Sequence, residues 1–184
     1  FYLNKAPECL SFRYSSHGKP ALAWESGGDA VRFNLSHSHG VALYAVTYGR
    51  EVGIDLECIR PISETEEVAE RFFSAREIAL FRALPVSISE KREAFFNCWT
   101  RKEAYLKASG EGLAQPLDQF SVSLRPGEPA KLVSIAGDLQ AASRWFIQAF
   151  SPADGYVAAV AVQGQGWRLK YWDFGGKERN QIDL

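Results

Sequence analysis

The period of the apolar residues changes twice along this chain, and that change restricts the folds open to it. Val31, Phe33 and Leu35 alternate, as in a half-buried strand. Residues 41–48 are apolar on both faces, which predicts a central strand. Gly49-Arg50-Glu51 then turns the chain into residues 52–57, predicting a hairpin. Arg60-Pro61 breaks the sheet, and helical spacing takes over across 64–73. Ser74-Ala75-Arg76-Glu77 has the form of a capping box and opens a second helix. The longest helix is expected over 89–108, ending before Gly110. After Gln115-Pro116 strand patterns return over 119–124, 144–150, 156–163 and 167–174. Strands, then helices, then strands is the pattern of an α+β fold.

The sequence carries a faint internal repeat. Val41-Ala42-Leu43-Tyr44-Ala45-Val46 before a glycine turn is matched by Val157-Ala158-Ala159-Val160-Ala161-Val162 before Gly164-Gln165-Gly166. Two similar strand-rich lobes with helices between them would account for it. The expected division is 1–59 as the C-terminal part of a first lobe, 60–174 as a second lobe including the long helix, and 175–184 as a flexible tail. The chain begins at Phe1 and holds no methionine, so a natural N-terminal segment is expected to be missing and the first lobe to be truncated.

Composition narrows the function. The net charge is −1 at 46% apolar residues, which favours a globular protein over a disordered or nucleic-acid-coating one. No apolar run approaches the roughly 20 residues of a membrane span. Cys9, Cys58 and Cys98 are odd in number and widely spaced, without zinc or disulfide spacing, which suits a reducing cytoplasm. His37 and His39 lack a third ligand at usable spacing, which disfavours zinc. Cys98, Trp99 and the pairs Phe72-Phe73 and Phe95-Phe96 are expected in the core, with one phenylalanine of each pair open to the surface and a partner. His39 is assigned no role.

Two stretches carry chemistry. In Gly53-Ile54-Asp55-Leu56-Glu57 the two carboxylates point to one side of a strand. In Trp99-Thr100-Arg101-Lys102-Glu103-Ala104-Tyr105-Leu106-Lys107, positions 99, 102, 103, 106 and 107 recur at helical spacing and are expected on one face. Three carboxylates and two ammonium groups could then converge. Carboxylates hold hard cations through oxygen, and lysines neutralise phosphate, so the set suits chemistry on a diphosphate. Taken alone, Asp55 and Glu57 read as a solvated strand-end pair, and Glu103 with Lys107 as an ordinary surface pair; the order of all the groups together favours the site.

These two stretches, with the upstream Phe33-Asn34-Leu35-Ser36-His37-Ser38, resemble the 4′-phosphopantetheinyl transferases. The form is similar to the two-lobe (Sfp) type rather than to the short trimeric carrier-protein synthases. The resemblance runs from about Gly18 to about Leu124. It implies transfer of the phosphopantetheine arm of coenzyme A to a carrier-protein serine, releasing 3′,5′-ADP. It implies Mg²⁺ on Asp55, Glu57 and Glu103, with Glu103 also as general base. It further implies that Lys102 and Lys107 contact the diphosphate, that His37 and Lys19 lie at the 3′-phosphate end, and that Ser36 also binds coenzyme A. The partners it implies are coenzyme A and an acyl or peptidyl carrier protein, met by a monomer. Arg71, Phe72, Phe73 and Arg76 follow the metal strand and are expected to supply the carrier contact. Two other readings are a metal-dependent phosphodiesterase or nuclease, which the absence of a basic stripe disfavours, and a non-catalytic carrier-binding module, which would not need all three carboxylates and both lysines.

Overall fold

The computed structural model of the chain describes residues 2–26, 30–61, 65–84, 87–173 and 178–179. Two short strands, β1 (Phe12–Tyr14) and β2 (Pro20–Leu22), pair through a turn at Gly18. β3 (Val31–Ser38) and β4 (Val41–Tyr48) form a hairpin closed by His39 and Gly40. Both turn residues have positive φ, 44° and 85°, as a two-residue primed turn requires. His39, which had no role from sequence, is the first central residue of this turn, and its carbonyl accepts a hydrogen bond from the Tyr156 hydroxyl at 2.7 Å.

β5 (Val52–Cys58) follows, and here the predicted hairpin is corrected. β4 does not pair with β5. β5 instead pairs along its whole length with β9 (Tyr156–Gln163), which pairs on its other edge with β8 (Trp145–Phe150). Nor is β4 central: Ala42, Tyr44 and Tyr48 are exposed. Its two apolar faces imitate a buried strand, whereas the fully buried run is on β9, at Ala158–Val162. The two segments of the internal repeat thus both form strands, one at an edge and one at a centre.

Three helices come between. The first, α1 (Thr65–Phe72), begins just after Glu64, which lies outside the described residues. α2 (Ala75–Arg82) has the predicted capping box, with Ser74 and Glu77 capping each other's backbone amides. α3 (Ile88–Ser109) is capped by Ser87 and stops at Gly110, whose φ of 77° continues no helix. Beyond it β6 (Phe120–Val122) and β7 (Leu132–Ile135) pair, and the short α4 (Leu139–Ala142) leads into β8. The strand predicted over 167–174 is reduced to β10 (Tyr171–Trp172), which pairs with β11 (Glu178–Arg179). Those two residues of the expected flexible tail are therefore in a strand pair, and the rest of that tail lies outside the described residues. Among the described residues no helix is long and apolar enough to cross a membrane.

α3 lies across β5 and β9, and the main core forms between it, α1, α2 and β6–β9. Phe95 stacks on Phe73 at 5.5 Å and on Trp99 at 6.2 Å. Phe73 and Cys98 are buried as expected, Phe95 and Phe96 are both buried against the expectation that one would be open, and Phe72 and Trp99 are half-buried and meet edge to face. Burial pushes the Cys98 thiol well up, which keeps it an inert apolar group.

Candidate active site

The site forms where β5 is pressed against the backbone of α3. A Cβ added at Gly53 would lie 2.2 Å from the Ala104 carbonyl oxygen and 2.3 Å from the Ala108 nitrogen. Only glycine permits that approach, and it brings the last turns of α3 down on the next strand residues. Lys107 Nζ reaches Asp55 Oδ1 at 2.6 Å and also donates to Ser36 Oγ at 3.2 Å. Asp55 is buried, at 5% exposure, and Glu57, two residues on, is half-buried.

β3 runs beside β5 without a backbone ladder between them. Side chains of β3 take the place of carbonyls. Asn34 Oδ1 accepts from the Ile54 amide at 2.8 Å, Ser36 Oγ from Leu56 at 3.2 Å and Ser38 Oγ from Cys58 at 3.2 Å. The constant offset of 20 residues makes the two strands parallel. All three side chains face β5, so the residues between them face the other way. His37 is therefore exposed on the opposite face of β3, away from Asp55.

Electrostatics tie the carboxylates together. Burial pushes Asp55 above its ordinary range despite the pull of Lys107, and Asp55 Oδ2 is buried with no hydrogen-bond partner. Glu103 is raised by burial first, then by Asp55 and Glu57, with Lys107 opposing. Among the described residues no three carboxylate, imidazole or thiol groups stand close enough together to hold one ion. The chemistry of the set still fits a hard cation. Asp55 and Glu103, each raised by burial and by neighbouring carboxylate charge, the first with an orphaned buried oxygen, would gain from a positive ion beside them.

Glu103 and Lys107 open onto a hollow of about 240 Å³, whose far wall is His17, Gly18 and Lys19. Lys19 Nζ bonds Glu51 at 2.9 Å and the Ala108 carbonyl at 3.0 Å, so it crosses from the β1–β2 turn to the end of α3. His17 was not singled out by sequence. It packs over Gly112, and no spacing links position 17 to that helix end.

Lys102 requires a correction. It does not share the face of Glu103 and Lys107 that opens onto the hollow. Its side chain is wholly buried, with all three protons engaged: Glu77 Oε2 at 2.8 Å, the Leu117 carbonyl at 2.7 Å and the Phe120 carbonyl at 2.6 Å. The Phe120 ring lies 4.4 Å from the same nitrogen. Position 102 lies about 100° round the helix from 103, enough to turn it into the core instead of toward the hollow. Glu77 is equally buried and accepts from the Ser74 and Val122 amides, so the pair locks α2, α3 and β6 together.

Comparison with known proteins gives the family. The family model described as the 4′-phosphopantetheinyl transferase superfamily matches residues 51–161, from the start of β5 through most of β9. The chain is 46% identical over 173 residues to the 4′-phosphopantetheinyl transferase HetI of Nostoc sp., covering 94% of this chain and 69% of that protein. It is 37% identical over 115 residues to the 4′-phosphopantetheinyl transferase Sfp of Bacillus subtilis, covering 62% of this chain and 48% of that one. A further 4′-phosphopantetheinyl transferase of Bacillus subtilis is 34% identical over 119 residues, 65% of this chain and 50% of the relative. The chain thus spans about half the length of the two Bacillus relatives and 69% of the Nostoc one. With the family model matched across the site-bearing strands and helix, and HetI aligned along nearly the whole chain, this protein belongs to the 4′-phosphopantetheinyl transferase superfamily.

Proposed function

We propose that this chain transfers the 4′-phosphopantetheine group of coenzyme A to a serine of an acyl or peptidyl carrier protein. The observation that carries the reading is the ion pair of Lys107 with Asp55, whose Oδ2 is buried and unpartnered, beside the hollow that Lys107 and Glu103 line. Asp55, Glu57 and Glu103 would hold Mg²⁺, with diphosphate oxygens and water completing its ligands. When bound, the ion supplies positive charge against the diphosphate oxygens. Glu103 takes the proton of the carrier serine hydroxyl. The serine oxygen then bonds to the β-phosphorus as the bond to the bridging oxygen breaks, releasing 3′,5′-ADP. The Lys107 ammonium offsets charge on that departing phosphate. His37 and Lys19 are assigned to the 3′-phosphate end of the nucleotide.

Carrier proteins are acidic near their serine, and Arg71 and Arg76 are exposed just beyond β5. Arg71 lies over the half-buried Phe72 ring at 5.1 Å. Of the acidic neighbours, Glu66 pairs with Lys91 at 3.1 Å and Glu70 pairs with Arg82. Phe73, buried at 2% exposure, is removed from the expected contact set, which leaves Arg71, Phe72 and Arg76.

The test is mass spectrometry of an apo carrier protein incubated with this chain, coenzyme A and Mg²⁺. The expected result is a gain of one phosphopantetheine group, abolished by a chelator. An unchanged carrier mass across a panel of carriers would overturn the proposal.

A further inference from the structure

The side-chain ladder between β3 and β5 repeats with a period of two, and each rung that carries a hydroxyl touches a carboxylate. Ser36 Oγ accepts from the Leu56 amide at 3.2 Å and from Lys107 Nζ at 3.2 Å, and lies 3.0 Å from Asp55 Oδ1. Ser38 Oγ accepts from the Cys58 amide at 3.2 Å and lies 3.2 Å from Glu57 Oε2. His39 Nδ1 stands 3.1 Å from Ser38 Oγ. A hydroxyl has one proton to donate and two lone pairs to accept with. At Ser36 both lone pairs are taken by obligate donors, an amide and an ammonium, so the proton can go only to Asp55. At Ser38 the amide takes one lone pair. With its proton on Glu57, His39 Nδ1 donates to the other.

We infer that Ser36 and Ser38 are positioning residues for the two strand-borne carboxylates, each fixing the orientation of one of them toward a divalent cation. Each hydroxyl caps one amide of β5 and gives its proton to the carboxylate immediately before that amide. Asp55 Oδ1 is thereby held by Ser36 and Lys107 together, and Oδ2 is left as the oxygen that faces a ligand. Asn34 provides an internal control. It caps the Ile54 amide of the same edge at 2.8 Å, but the residue before that amide is Gly53, which has no carboxylate to orient. Partners that hold a metal ligand in place typically change metal affinity about 10–100-fold when removed.

The inference rests on the proposed cation site, so the experiment reads cation uptake and stability separately. Mn²⁺ binding is followed by loss of the free-ion electron paramagnetic resonance signal, with coenzyme A present, alongside a thermal melt without metal. Ser36→Ala and Ser38→Ala are expected to weaken Mn²⁺ binding roughly 10-fold or more. Ser36→Thr, which keeps the hydroxyl, should restore it toward the original value. Asn34→Ala should lower the melting temperature as the alanine variants do, yet keep Mn²⁺ affinity. Alanine variants that melt lower and bind Mn²⁺ unchanged would reduce the serines to strand caps and overturn the inference alone. No Mn²⁺ uptake by the unaltered chain would overturn the cation site and this inference with it.

Discussion

Lys102 and Lys107 sit five residues apart on one helix and have opposite roles. Lys107 is about a third exposed and meets Asp55 at the hollow, whereas Lys102 is sealed against Glu77. Lys102→Met leaves the Glu77 carboxylate buried without its cation, an arrangement that costs about 3–5 kcal/mol. A urea titration should show that loss, while coenzyme A affinity of the folded fraction stays near the original. Weaker coenzyme A binding without loss of stability would return Lys102 to the substrate site. The carboxylates make a prediction in pH. Asp55 and Glu103 are raised above their ordinary values in the folded chain, so the folded state binds protons more readily than the unfolded one. Metal-free stability therefore rises as pH falls through the raised range, and the destabilisation is complete above it. Glu103→Gln should abolish transfer while raising the metal-free melting temperature by a few degrees at neutral pH, read by calorimetry.

At the level of elements, the contact between β5 and α3 decides whether a site exists. Gly53→Ala puts a Cβ against two backbone atoms of α3, neither of which can rotate away. Overpacking of this kind costs roughly 1–3 kcal/mol, and separating the strand from the helix also parts Lys107 from Asp55. The variant should melt lower and lose transfer, with coenzyme A in excess restoring none of it. The helices were legible in the sequence because their punctuation is local: Ser74 with Glu77, and Gly110 after an apolar-periodic run, declare their own boundaries. The partner of β5 was not. Residues 41–48 and 156–163 share the same apolar pattern, and only long-range packing decides that 156–163 lies between β5 and β8. Strand and helix periods made the meeting of β5 with α3 legible, and there Lys107 pairs with Asp55; the ligand roles of Asp55, Glu57 and Glu103 belong to the proposal. Helical spacing failed at Lys102, because it groups residues within a broad arc and does not say which side of that arc the core takes. Ser36 read only as a coenzyme A contact and Ser38 only as part of a motif, since a side chain that replaces a backbone carbonyl leaves no signature in composition.

For the whole molecule, the proposed reacting groups lie on β5 and α3, and the proposed carrier surface on α1 and the start of α2, the first helices after β5 in the chain. Arg76→Glu should raise the Michaelis constant for the carrier several-fold and leave that for coenzyme A alone, in steady-state assays with each substrate varied in turn. The effect should shrink at high salt, as charge pairs at a surface do. The central claim is that Asp55, Glu57, Glu103 and Lys107 take up a divalent cation and a diphosphate as one unit. Titration calorimetry of coenzyme A with and without Mg²⁺, on the chain and on Asp55→Ala, measures that coupling directly. The account predicts that Mg²⁺ tightens coenzyme A binding to the unaltered chain and has no such effect on Asp55→Ala. Equal enhancement in both proteins, or none in either, would contradict it.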